Sequence, residues 1–176
     1  MSRRQALIVD GYNVIRNNAR YANLGPDWTG GPERNKARET LIDDAVVMAS
    51  GEYECCTVVF DGAGNPNSTG RPQRINGIDV VFSPAGVSAD SVIERLAQQY
   101  RERGLEVMVV SSDLTIQSTV FGGGVTRMSA AGFASTSETI VDELYEGPGP
   151  TRFKSTVASR IDPDVAAKLN ALVRKK

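Results

Sequence analysis

Histidine is absent from this chain of 176 residues. That gap removes histidine general bases, Ser-His-Asp and Cys-His nucleophile systems, and histidine-containing zinc sites together. Cysteine is nearly absent as well, with Cys55 and Cys56 adjacent in the sequence. Neighbours on an extended strand point to opposite faces, so this pair cannot easily chelate one ion or close an unstrained disulfide. Ordinary strand packing in a reducing compartment is the expectation, with a reactive thiol as the other reading. Long apolar runs are missing too: stretches such as Ala45-Val46-Val47-Met48-Ala49 fall far short of the ~20 residues that span a bilayer. The opening Met1 to Val9 has a basic pair, Arg3-Arg4, but its apolar part stops at Asp10 with no small-residue cleavage site behind it. The protein is therefore expected to be cytoplasmic and to have no membrane partner.

The chain has 40% apolar residues, enough for one globular core at this length. Its net charge of −1 excludes a general polybasic coat but hides an uneven distribution. Up to residue 150 there are 13 basic against 19 acidic side chains, and after it 7 basic against 2 acidic. Gly147-Pro148-Gly149-Pro150 marks the boundary. The expected organisation is a domain over residues 1–147 and a linker with a basic tail over 148–176, in which Asp162-Pro163 starts a helix from Val165 to Val173. Such a tail can contact phosphates or lie solvated at the surface.

Hydrophobic patterning alternates strands with helices. Apolar runs at Gln5 to Val9 and Cys55 to Phe60 each end at Asp-Gly, at Asp10-Gly11 and Asp61-Gly62, and read as buried strands entering tight turns. Between them, Ala37, Leu41, Ile42, Ala45 and Met48 recur at helical spacing from Pro32 until Ser50-Gly51 stops the helix. Residues 17–31 form a long connection that holds Trp28, readable as a packing lid or as a base-stacking platform. A loop rich in glycine, proline, asparagine and serine runs from Gly62 to Gly77 before a strand at Ile78 to Phe82. A helix from Ser88 to Arg103 follows, with Val92, Ile93, Leu96, Ala97 and Tyr100 inward and Gly104 as its stop. Next come a strand at Leu105 to Val110, a short helix capped by Ser112 and running to Val120, a strand at Val125 to Met128, and a helix starting at Ser137-Glu138. This pattern predicts an α/β fold, a mainly parallel sheet of about five strands flanked by helices.

Ligands in such sheets bind beyond the carboxyl ends of the strands. Asp10, Asp61 and Asp113 all stand just past strand ends, and Asp90 opens the helix after the third strand, with Glu94 one turn on. Helix capping and turn formation explain each acid singly, Asp90 and Asp113 in particular. Three or four carboxylates converging on one edge repel one another unless a cation is present. Oxygen-only donors select a hard divalent ion, Mg²⁺ or Mn²⁺, which bridges carboxylates to substrate phosphate. A metal ion can also activate water without a side-chain base, which suits a chain without histidine and points to phosphoester hydrolysis. Asn13 could orient the water or a phosphate oxygen, or simply bond the turn backbone. No nucleotide cofactor is expected: Gly122-Gly123-Gly124 is not a dinucleotide fingerprint, and no phosphate loop occurs. The dipeptide Asp10-Gly11 lacks the second acid that an aspartyl-phosphate mechanism would use.

Several segments together carry a resemblance. They are Ile8-Val9-Asp10-Gly11-Tyr12-Asn13-Val14-Ile15, Val58-Val59-Phe60-Asp61, Val80-Val81-Phe82, Gly86-Val87-Ser88-Ala89-Asp90-Ser91-Val92-Ile93-Glu94-Arg95, Val109-Val110-Ser111-Ser112-Asp113 and Arg127-Met128-Ser129-Ala130. In this order they resemble the YacP-like branch of the NYN domains, relatives of the PIN-domain nucleases, across roughly residues 5 to 145. The resemblance implies a PIN-like fold and a metal-dependent RNA endonuclease, in a family that includes a bacterial member cutting messenger RNA on the ribosome. It implies Asp10, Asp90 and Asp113 as catalytic acids and metal ligands and Asn13 as a catalytic amide, while Asp61, from its place after the second strand, is expected to complete the negative pocket as a further ligand. RNA contacts are expected from Arg38, Arg71 and Arg74, and from Arg152 and Lys154 in the tail. A non-catalytic RNA- or ribosome-binding module and a small-molecule phosphatase are the alternative readings.

Overall fold

The computed structural model describes residues 4–24, 32–113 and 123–145, the side chains of 32–35 excepted. Trp28, most of the segment after Ser112, and the tail with Arg152 and Lys154 lie outside the described residues. No described helix is long and apolar enough to cross a membrane.

The elements run β1 (Gln5–Asp10), α1 (Gly11–Asn17), α2 (Ala19–Ala22), α3 (Pro32–Ala49), β2 (Tyr53–Phe60), β3 (Gln73–Ile75), β4 (Ile78–Phe82), α4 (Ala89–Glu102), β5 (Glu106–Val110), β6 (Val125–Met128) and α5 (Ala130–Tyr145). Their strands form one sheet in the order β3-β4-β2-β1-β5-β6, parallel except for the β3–β4 pair. Strand period two sends alternate residues to opposite faces. Leu7, Val9, Val58 and Phe60 join Leu41, Ala45 and Phe133 on the side of α1, α3 and α5. Ala6, Ile8, Val59 and Val109 join Val92, Ile93 and Ala97 of α4 on the other. Three layers result, as the βαβ pattern requires.

Four local expectations are corrected. Asp10-Gly11 does not make a turn: Asp10 accepts a hydrogen bond from Asn13 N–H and caps α1, which begins at once. An added Cβ at Gly11 would stand 2.3 Å from the Phe60 ring, so only glycine lets α1 start against β2. The connection after Asn17 contains α2, where Arg20 bonds both carboxylate oxygens of buried Asp44 and the Tyr21 hydroxyl adds a third bond at 2.7 Å. The loop before β4 contains a sixth strand, β3, joined to β4 by Asn76-Gly77, both at positive φ. Finally, α5 starts at Ala130 rather than Ser137. Ser137 is buried in mid-helix with its hydroxyl on the Ala134 carbonyl, a bond that imitates a cap in sequence without making one. Ser112 Oγ accepts from Ala130 N–H at the start of α5, and the short helix expected from Ser112 to Val120 falls on residues outside those described.

Candidate active site

Consecutive strands lie on one side of β1 and then on the other, since β2 and β5 both flank it. That reversal opens a crevice beyond the end of β1, where open α/β sheets bind ligands. A cleft of about 190 Å³ sits there, lined by Asp10, Tyr12, Asn13, Arg16, Asp61, Ser88, Ala89, Asp90 and Asp113. Four acids singled out by sequence thus line one cleft, while Glu94 is exposed and does not line it.

Each acid has a distinct setting. Asp10 is only 7% exposed. Burial pushes its carboxyl up to about 6, and the charges of Asp90 and Asp113 add to that rise against hydrogen bonds from Asn13 and Ser111. Asp90 sits in the first turn of α4, behind the Ser88 cap. Its carboxyl is also raised, first by burial and then by Asp113 and Asp61. Asp61 is exposed and accepts from Ala63 N–H at 2.8 Å, with the Ser83 hydroxyl at 3.4 Å. Gly62 lies so close to the Ser83 carbonyl that a Cβ would stand 2.4 Å from it, which pins this turn against the end of β4.

Asp113 is set by a short hub past β5. Ser111 Oγ accepts from Asp113 N–H at 3.1 Å and donates to Asp10 at 3.5 Å. Asn13 Oδ1 accepts from Ser112 N–H at 2.8 Å, so its amide oxygen ties α1 to the segment that carries Asp113.

Oxygen-only donors, mutual repulsion and a buried carboxyl held above its ordinary range suit a hard divalent cation. Among the described residues, however, no three acidic or other ligating side chains come together tightly enough to hold an ion alone. Mg²⁺ needs only one or two carboxylates beside water and phosphate.

The basic residues separate. Arg38 is half-buried, with its guanidinium 5.5 Å from the Phe82 ring centroid and a bond of 3.2 Å to the Tyr12 hydroxyl, which places it behind the cleft wall. Arg74 faces away from the site: it pairs with Asp79 at 3.0 Å near the start of β4, the opposite end from the cleft. Arg71 is exposed in the loop before β3 and does not line the cleft. Arg16 does line it and was missed by sequence reasoning. The signal was its spacing of three from Asn13, which shares a face with it only if residues 11–17 are helical.

A family model for the YacP-like NYN domain matches residues 7–174. That span includes the tail, which the motif resemblance had left outside. The protein YacP of Bacillus subtilis (strain 168) is 31% identical over 134 residues, covering 76% of this chain and 75% of that protein. Two crystal structures of Rae1 (YacP) from Bacillus subtilis are similar to this chain. A point variant has a TM-score of 0.64 at 26% identity, covering 96% of this chain and 99% of that one. The other has a TM-score of 0.62 at 25% identity, covering 97% and 89%. With a family match over nearly its whole length and an acidic cleft at the switch point of its sheet, this chain belongs to the YacP-like NYN domain family.

Proposed function

We propose that this protein is a cytoplasmic, divalent-metal-dependent endoribonuclease that cuts messenger RNA in association with the ribosome. The observation that carries the reading is the meeting of Asp10, Asp61, Asp90 and Asp113 on one cleft whose deepest carboxyl is buried and lifted to about 6. Such a group needs a cation to ionise cheaply, and the family match supports phosphodiester hydrolysis as the chemistry.

Asp10, Asp90 and Asp113 would hold Mg²⁺ or Mn²⁺, directly or through water, with Asp61 completing the negative wall. When bound, the ion supplies charge neutralisation at the scissile phosphate and a water of lowered pKa. The chain's own groups do the rest. Asn13 fixes the Ser111 to Asp113 segment through its amide oxygen. Arg16 on the cleft wall offers a guanidinium group to the RNA backbone, where planar donors match phosphate oxygens, while Arg38 braces Tyr12 from behind. Arg71, Arg152 and Lys154 would extend the contact outside the cleft. Among the described residues lining the cleft none is suited to reading bases by stacking, since Tyr12 is buried against Phe60 at 5.0 Å between ring centroids.

The test is cleavage of an end-labelled messenger RNA with Mg²⁺ or Mn²⁺, with and without translating ribosomes, beside Asp90→Asn. Wild-type cutting that needs the ion and falls at least a hundredfold in the variant is expected. Stimulation by ribosomes would assign recognition to the translation complex. Ribosome binding without cleavage under any condition would replace the nuclease with a non-catalytic module.

A further inference from the structure

The hub that carries Asp113 is anchored from outside the cleft. Arg127 projects from the edge strand β6, half-buried, and its Nε donates to the carbonyl of Ser111 at 2.9 Å. This carbonyl is the first past the end of β5, where the β5–β6 ladder closes with Ser111 N–H on the Met128 carbonyl at 3.1 Å. Among the described residues past that point, Ser112 and Asp113 belong to no strand. The direction of the chain there is set by side chains: Arg127 on the Ser111 carbonyl, Asn13 on Ser112 N–H, and Ala130 N–H on the Ser112 hydroxyl. The same three-residue segment places Ser111 Oγ between Asp10 and the backbone of Asp113.

We infer that Arg127 is a positioning residue for the acidic cleft, holding the Ser111 to Asp113 segment so that Asp113 and the Ser111 hydroxyl face Asp10. The inference rests on the nuclease reading for its catalytic consequence, but its structural half stands apart from it. Arg127 does not line the cleft, so it acts on the reaction through the backbone it grips rather than through the substrate. A single donor on a neutral carbonyl is what the geometry uses. Lysine, which keeps one long-reaching donor, is therefore expected to substitute, and methionine, which keeps the bulk of the stem and loses the donor, is not.

The experiment compares Arg127→Met and Arg127→Lys with the wild-type chain by amide hydrogen exchange and by RNA cleavage kinetics. In Arg127→Met the Ser112 and Asp113 amides should exchange at least tenfold faster while those of β1 and β2 keep their protection. Its kcat should fall at least tenfold with KM within twofold, and Arg127→Lys should recover most of both. Unchanged exchange at Ser112 and Asp113 overturns the inference, as does a rise in KM with kcat intact, which would make Arg127 an RNA contact. Loss of protection throughout the sheet would make it a general stabiliser instead. If Arg127→Met does not fold, Arg127→Leu, which also lacks the donor, decides. Faster exchange of the Ser112 and Asp113 amides, with kcat reduced, supports the inference, and wild-type behaviour on both counts sinks it. A wild-type chain that cleaves no RNA refutes the nuclease reading, and the exchange data then judge the positioning role without it.

Discussion

Burial leaves Asp10 at 7% exposure beside two other acids, and the cost of ionising it there makes the site sensitive to pH in a direction that can be worked out. An unfolded aspartate releases its proton near ~3.9, whereas the folded one keeps it up to about 6. Between those values the folded state binds more protons, so this group's stabilising effect is complete below pH ~4 and is lost as pH rises to about 6. Asp10→Asn mimics the protonated form and keeps an oxygen for Asn13 N–H. The variant should match the wild type at pH 4 and exceed it at pH 7.5 by about 2 to 3 kcal/mol. Urea unfolding at both pH values without added metal measures the difference, and equal stability at pH 7.5 would show that the carboxyl ionises at its ordinary pKa. The direction of this shift was foreseeable in sequence, since converging acids repel. Its size was not, because burial is its largest cause and burial belongs to the fold.

Elements were legible wherever one residue pattern had one structural reading. The inward residues of α4 and the strands around Leu7, Val58 and Val109 follow from period alone. The strand β3 did not, because three residues carry too little alternation to register, although Asn76-Gly77 is the turn pair that marks a hairpin. Asp10-Gly11 misled for a different reason. Glycine after a strand usually signals a turn, and here it is demanded by the Phe60 ring, which sits far away in sequence. That contact makes α1 testable as an element. Gly11→Ala must move either the ring or the helix start, and Phe60 is fully buried with Tyr12 and Phe82 packed on it. A loss of about 2 to 3 kcal/mol is expected from overpacking of this kind. Because α1 carries Asn13 and Arg16, cleavage should fall along with stability. A stable, fully active alanine variant would mean that the helix has room to shift.

At the scale of the whole molecule, the sheet order explains why acids scattered from position 10 to 113 reach one cleft, and the same convergence links metal binding to folding. Each acid stood at a strand end or helix start in the sequence, but the reversal of strand order at β1 that gathers them depends on which strands pair. A cation that binds only the gathered set stabilises the folded state by RT ln(1 + [L]/Kd), about 2.7 kcal/mol at a hundredfold excess over Kd. It competes with the proton on Asp10, so the effect should be largest above the folded value of about 6. Thermal unfolding with Mn²⁺ should therefore show a clear rise in Tm at pH 7.5, little rise at pH 5, and a weakened rise in Asp10→Asn and Asp90→Asn at pH 7.5. Chelation by EDTA should return the wild-type Tm to its metal-free value. A rise equal at the two pH values, or undiminished in both variants, would place the ion elsewhere on the surface. The acids would then be caps and turn formers, as each of them looks when taken alone.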